Sequence, residues 1–358
     1  MSALGAGAAI PAVLLGGSGY VAGELLRLIA GHPRFTLAAV LSESQPGEPL
    51  ARAFPHLAST YREARFASHL EVQKLLSEMP QAALFSAAPH GVAAGLIDSL
   101  LTATERAGVE AHVVDISADF RYPSAEAYRA VYGAPHAAPG RLAQFTCALP
   151  EHLERAATPH IAHPGCFASA MLLAAAPLLA SGAVAPTLYM SGVTGSTGSG
   201  RKPLEGTHHP LRHADLYSYN PLAHRHVPEV AACLRTTTGV DAQIAFVPHS
   251  GPFARGIHVT LQAPLTRAIE TRELNALLAD FYARSPFVHV TSEGPRVKNV
   301  VGSNYAHLTG VARGGSVAVM CAIDNLTKGA AGGAVQWMNR LFDLPETEGL
   351  TAPAPGWT

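Results

Sequence analysis

Charge is scarce in this chain. Asp, Glu, Lys and Arg make up 14% of its 358 residues, and 25 basic against 26 acidic side chains leave a net charge of −1. The basic residues are scattered, so no stretch offers a phosphate backbone an electrostatic track, and nucleic acid is not an expected partner. Cysteine is scarcer still: Cys147, Cys166, Cys233 and Cys321 lie far apart, with no C-x-x-C pair. That spacing argues against a zinc knuckle and against a dense disulfide framework, so any special cysteine must be special for its reactivity. No Asp, Glu, Lys or Arg occurs between Arg155 and Arg201, and Ala168 to Ala180 is apolar. This run is interrupted by Pro177 and followed by Gly182, whereas a bilayer span needs about 20 apolar residues, so it reads as a buried helix. The Ala/Gly-rich segment Met1 to Ala9 lacks the Lys/Arg of a secretory signal, and the expectation is a cytoplasmic protein with no membrane partner.

Hydrophobic residues, at 48%, supply enough apolar surface for a packed core, and the length predicts about two domains. Near the start, the apolar run Ala12 to Leu15 leads into Gly16-Gly17-Ser18-Gly19-Tyr20-Val21-Ala22-Gly23 and then the helix-patterned Glu24 to Ile29. A second apolar run, Phe35 to Leu41, completes a βαβ unit. Runs at Ala82 to Phe85 and Ala111 to Val114 flank a helical stretch from Gly91 to Arg106, which continues a doubly wound, Rossmann-type α/β sheet. Past Pro164 the pattern changes to a helix, Phe167 to Leu179, and strands at Thr187 to Val193, Gln243 to Val247, Ile257 to Ala263 and Val317 to Ile323. Few helices intervene, so this half predicts an α+β substrate and oligomerisation domain with a mixed sheet. The expected division is 1–165, completed by a C-terminal helix in 326–358, and 166–325. A homodimer or homotetramer is expected of the second part.

Gly16-x-x-Gly19-x-x-Ala22 departs from the usual dinucleotide spacing, but the physics is the same: glycines let backbone amides approach a pyrophosphate at a helix N-terminus. After the second strand comes Ser42-Glu43-Ser44. A carboxylate there holds a ribose 2′-hydroxyl and favours NAD, while Ser42 and Ser44 can donate to the 2′-phosphate of NADP.

His163-Pro164-Gly165-Cys166-Phe167 places a thiol at the start of the apolar helix. A helix N-terminus favours the thiolate, and Pro-Gly fixes a turn that leaves the sulfur exposed, so Cys166 is the expected nucleophile. The expected proton partner lies in His224-Arg225-His226-Val227-Pro228-Glu229. With Pro228 opening a helix, both imidazoles would sit on the preceding extended loop, with Glu229 turned back to orient one of them. A metal held by His224 and His226 is the competing reading, but no third ligand is signalled nearby and no metal is expected. Arg121, Arg201, Lys202 and Arg255 are candidate anion clamps, because guanidinium and ammonium groups suit phosphate and carboxylate.

Together these motifs resemble the N-acetyl-γ-glutamyl-phosphate reductase family of arginine biosynthesis, with the lysine-pathway acyl-phosphate reductases as relatives. The resemblance covers nearly the whole chain. It rests on the Gly16 to Tyr20 turn, Ala88-Pro89-His90-Gly91, Asp115-Ile116-Ser117-Ala118-Asp119-Phe120-Arg121 and Pro164-Gly165-Cys166. Ser191-Gly192-Val193, the His224 to Glu229 run, Pro248-His249, Arg255-Gly256, and Asp324-Asn325-Leu326 with Lys328 to Gly332 continue it. It implies reduction of an acyl phosphate to a semialdehyde through a thioester, with Cys166 as nucleophile, His224 as acid/base assisted by Glu229, and His226 at the substrate. It further implies NADP held by Gly16, Gly17, Ser18, Gly19, Tyr20, Val21, Ser42, Pro89, Ser191 and Gly192, with Asn325 near the nicotinamide.

Three departures stand out. His163 and Phe167-Ala168-Ser169 replace the usual Asn before, and Tyr-Pro-Thr after, the cysteine. Glu43 stands where typical members carry Arg, which keeps NAD open beside NADP. The loop Thr194 to Lys202 is longer than the usual form and leaves the acyl chain open. A lysine-pathway substrate one methylene longer is the same-class alternative. A nucleotide-sensing Rossmann protein without catalysis is the alternative of another class.

Overall fold

The computed structural model describes residues 9–356. Two compact units divide the chain: the first runs through Thr146 and adds Ala156–Ala162 and Ala334–Leu350. The second comprises Cys147–Arg155, His163–Gly333 and the segment from Thr351.

In the first unit the apolar runs become a seven-stranded sheet in the order Phe66–Ala67, Phe35–Leu41, Ile10–Leu15, Gln81–Ser86, Glu110–Asp115, His160–Ala162, Phe145–Cys147. Ile10–Leu15 pairs in parallel with Phe35–Leu41 on one side and Gln81–Ser86 on the other. Strands covered on both faces need continuous apolar sequence, and Val13, Leu14 and Leu15 are fully buried, as are Ala82 to Phe85. The chain's first strand therefore lies where the strand order reverses, and the crevice beyond the carboxyl ends of such strands is the ligand site of open α/β sheets. The Gly16 turn follows one of those ends and the Ala87–Gly91 turn follows the other. They touch: Gly16 has φ +81°, and a Cβ there would run into the backbone of Ala88.

In the second unit a mixed sheet runs Val288–Val290, Ala306–Arg313, Ser316–Ile323, Ile257–Pro264, Thr187–Thr194, Gln243–Ser250, Tyr217–Ser218. Thr187–Thr194 is parallel to Gln243–Ser250 and antiparallel to Ile257–Pro264. Helices cover one face. Chief among them is Cys166–Ala180, whose residues from Phe167 to Leu179 are all buried, as a helix apolar on every side must be. Among the described residues no helix is long and apolar enough to cross a membrane. The opposite sheet face keeps Tyr189 and Val311 exposed, which gives the strands their alternating burial.

Candidate active site

The cysteine turn is held from three directions. Gly165 caps the helix in an extended conformation, with no capping side chain and no acidic residue in the first turn, and Cys166 is the first helical residue. The Gly165 N–H donates to Glu229 Oε1 at 2.6 Å, and Glu229 is fully buried. The imidazole of His226 lies over Gly165 so closely that a Cβ at 165 would collide with the ring. On the other side Gly329, in a single π-helical turn Thr327–Ala331, approaches so near that its own Cβ would stand 2.8 Å from the Cys166 Cβ. The cysteine's neighbours thus meet it through two glycines, and Cys166 stays half-buried while Cys233 and Cys321 are buried.

His224 occupies an aromatic box. Its ring is 5.8 Å from Phe167, 5.5 Å from Phe246, 5.8 Å from Tyr219 and 4.7 Å from His226, centroid to centroid. Burial, and secondarily the Arg225 charge, lower its pKa to about 4, so it is neutral near pH 7. Its Nδ1 accepts from the His226 N–H at 3.2 Å, which leaves the ring's single proton on Nε2. Tyr219 is raised above the ordinary phenol range by burial first and by the Cys166 charge second, which ties this box to the thiol. The helix that carries Glu229 runs His226–Thr238, so His226 opens it and Pro228 lies inside its first turn. A proline is tolerated there because its missing N–H has no intrahelical acceptor.

Other residues singled out in the sequence fall elsewhere. Gly192 lies under the Phe167 ring, whereas its neighbour Ser191 is exposed on the strand's other side. Arg255 grips the buried Asp324 with Nε at 2.9 Å and Nη2 at 3.1 Å. Asp324 also accepts from the Gly302, Leu326 and Thr327 N–H groups. Asn325 accepts from Gly256 N–H at 2.7 Å and donates to Thr197 Oγ1 at 3.0 Å. Arg201 and Lys202 are exposed.

In the first unit, Tyr20 opens a helix capped by Gly19 with no capping side chain. Ser42 is buried with its hydroxyl 3.5 Å from that of Ser44, and Glu43 is exposed, 3.8 Å from His69. Pro89 begins the turn whose Gly91 N–H donates to Asp119, and Arg121 is buried and donates to the Ile116 carbonyl at 2.7 Å. Asp119 also accepts from the Ala94 N–H, so its carboxylate fixes the start of the next helix. Asp115 is pushed up to about 6, by burial first, although its bonds to Ser117 pull the other way. Sequence reasoning did not single out this capping, nor the fully buried pair Lys328–Glu151 at 2.6 Å in the second unit. Among the described residues no three His, Cys, Asp or Glu side chains gather as metal ligands.

The geometry is that of a thiol at a helix start, with a neutral imidazole packed on the next residue, Phe167. Residues 11–145 match the semialdehyde dehydrogenase NAD binding domain, and residues 166–325 match the semialdehyde dehydrogenase dimerisation domain. The N-acetyl-gamma-glutamyl-phosphate reductase of Methanopyrus kandleri is 39% identical over 346 residues, 95% of this chain and 97% of that one. Those of Nitrosococcus oceani and Pseudomonas aeruginosa are 37% and 39% identical, each covering 95% of this chain and 98% of the relative. Among solved structures, the aspartate semialdehyde dehydrogenase II of Vibrio cholerae complexed with ASA superposes with a TM-score of 0.68 at 14% identity, over 94% of this chain and 99% of that one. The Candida albicans aspartate semialdehyde dehydrogenase with NADP gives 0.64 at 14% identity, over the same shares. At that identity the likeness shows a shared fold. The chain belongs to the N-acetyl-γ-glutamyl-phosphate reductase family and carries both domains of the semialdehyde dehydrogenases.

Proposed function

We propose that this protein reduces N-acetyl-γ-glutamyl phosphate to its semialdehyde in arginine biosynthesis, in the cytoplasm, with NADPH as reductant and a thioester on Cys166 as intermediate. The observation that carries the reading is the Cys166 turn, whose backbone is gripped by the buried Glu229 at the start of a helix with no capping side chain.

The Cys166 thiolate attacks the acyl carbon, the C–O bond to phosphate breaks, and phosphate leaves with the electron pair. Two oxyanions form along the path, one in this displacement and one in the reduction. The uncapped N–H groups of the first helical turn and the Nε2–H of His224 are the donors that meet them. Because His224 bonds backbone through Nδ1, its exchangeable proton is the one on Nε2, and proton transfer to and from the tetrahedral adduct runs through that atom. When the adduct collapses, the C–S bond breaks, the aldehyde forms and the thiolate returns. Arg201 and Lys202, both exposed, are assigned to the departing phosphate, and His226 to the substrate flank of the turn. Arg255 and Arg121 serve the backbone around them through Asp324 and Ile116.

A nicotinamide cofactor supplies the hydride when bound. The residues that would hold its pyrophosphate, Gly16 to Val21, fit the group: helix Tyr20–Ala30 starts uncapped, and a Cβ on Gly19 would meet nothing within 4 Å. Ser42 and Ser44 favour the 2′-phosphate of NADP, and Glu43 keeps NAD within reach. Assembly is a homodimer or homotetramer through the second unit.

The test is the reverse reaction with phosphate and NADP⁺. N-acetylglutamate semialdehyde should be oxidised, and the aminoadipate homologue one methylene longer should be a poor substrate. Preference for the longer aldehyde would move the protein to the lysine-pathway reading.

A further inference from the structure

Arg212 was not among the cations singled out from the sequence, and it is the one whose surroundings ask for an anion. It ends the short helix His209–Arg212, is 8% exposed, and places Nη1 3.2 Å from the Asp215 carbonyl and 3.5 Å from that of Ser250. Its guanidinium lies 5.9 Å from the centre of the Tyr217 ring. Nε and Nη2 are buried and have no acceptor, and no carboxylate of the described residues pairs with the side chain. These two atoms form one edge of the guanidinium, with two parallel N–H bonds that match the two oxygens of a carboxylate. The same edge of Arg255 grips Asp324 in this chain, whereas in Arg212 it has nothing to hold.

The position of that edge fits the substrate. Ser250 pairs with Thr194, two residues along the strand from Gly192, which lies under the Phe167 ring beside Cys166. Tyr219, whose phenol senses the Cys166 charge, donates its N–H to Pro248, two residues before Ser250. Two residues of strand advance about 6.6 Å. Four carbon–carbon bonds, the path from acyl carbon to carboxylate carbon in a glutamyl chain, span about 5 Å when extended, and a hydrogen bond of about 2.9 Å from the carboxylate to the guanidinium edge adds the remaining reach.

We infer that the Nε–Nη2 edge of Arg212 binds the α-carboxylate of the acyl substrate and makes this site selective for an amino-acid-derived acyl phosphate. This rests on the function proposed above and names the residue that recognises its substrate. An oxyanion at this edge could also be the phosphate, and the experiment separates the two.

The reverse reaction is measured for the wild type, Arg212→Met and Arg212→Lys with N-acetylglutamate semialdehyde and with 4-acetamidobutanal, the same chain without the carboxylate. The wild type should prefer the carboxylated aldehyde. Arg212→Met should lower kcat/KM for it about a hundredfold, mainly through KM, and leave 4-acetamidobutanal within about threefold. Arg212→Lys should fall between them, since an ammonium restores the charge without the fork. KM for phosphate should not move. Equal losses on both aldehydes would show a purely structural arginine and overturn the inference. A raised phosphate KM with the preference between aldehydes intact would overturn it in favour of the phosphate. A wild type inactive on both aldehydes removes the proposed function, and this inference with it.

Discussion

Two helices in this chain start in the same way and face different surroundings. Tyr20–Ala30 and Cys166–Ala180 are each capped by a glycine in extended conformation, with no capping side chain and no acidic residue in the first turn. Neither start has a capping side chain at its glycine, and each carries the positive end of a helix dipole. At Gly19 a Cβ would meet nothing within 4 Å, whereas at Gly165 it would strike the His226 ring. The first start is open, as a group arriving from outside requires. The second is closed in by its own unit and carries the thiol proposed as nucleophile, whose anions would arise during the proposed reaction. One sequence device, a glycine before an uncapped helix, stands in open space in one place and in a closed one in the other, which suits the binding task proposed for the first and the chemical task proposed for the second.

The sharpest break of the comparison is Cys166→Ser. Turnover should fall to background while dinucleotide affinity, followed by fluorescence titration, stays that of the wild type; retained turnover would remove the covalent step from the second helix start.

The glycines come next, as a pair. Gly165→Ala should displace His226 or the turn, costing about 1–3 kcal/mol of stability and most of the activity. Gly19→Ala, at φ −83° with open space around it, should leave the melting temperature unchanged and raise KM for the cofactor about tenfold. If both variants melt early, the first start is packed rather than open and the contrast fails.

His224→Asn should lower kcat by about 10²–10⁴-fold. Since the folded His224 pKa is depressed to about 4 from 6.5, its neutral form should persist as pH falls well below 6.5, and the acid limb it causes should have its midpoint near 4. The stability contributed by the neutral ring is complete above pH 6.5 and is lost as pH falls through 4. A limb near 6.5 that vanishes in His224→Asn would show a solvated imidazole instead.

The smallest effect is expected at the open start. Glu43→Arg replaces the carboxylate expected near the 2′-phosphate by a cation and should raise the NADPH/NADH ratio of kcat/KM by about tenfold or less. An unchanged ratio would mean that the side chain points away from the ribose, as its exposure beside His69 allows.

Much of the fold was legible because its signals are local. Val13 to Leu15 before a glycine turn, and Phe35 to Leu41 after a helix stop, state strand, turn and strand within thirty residues or so. The apolar helix from Cys166 was legible because charge is missing along its whole length. The start of the Glu229 helix was read as Pro228 and lies at His226, because proline marks a first turn without fixing which residue opens it. The candidate site was legible only as a set of residue types. That Glu229 holds the cysteine's own turn depends on a partner 64 positions away, and that Lys328 is buried against Glu151 on one 177 positions away. Arg212 carried no signal in a polar loop, because its missing acceptor shows only once Ser250 and Tyr217 are folded around it.

The sequence by itself determined the doubly wound first half, the mixed second half and the thiol at a helix start, since each follows from spacing and polarity over a few turns of chain, while strands such as Ala306–Arg313 appear only in the folded sheet. Tertiary structure alone decided the protonation and tautomer of His224, the engagement of Arg255 with Asp324, and the unanswered edge of Arg212. These depend on burial and on donors and acceptors brought together from distant positions, and a buried charge or imidazole takes its chemistry from those neighbours rather than from its place in the chain.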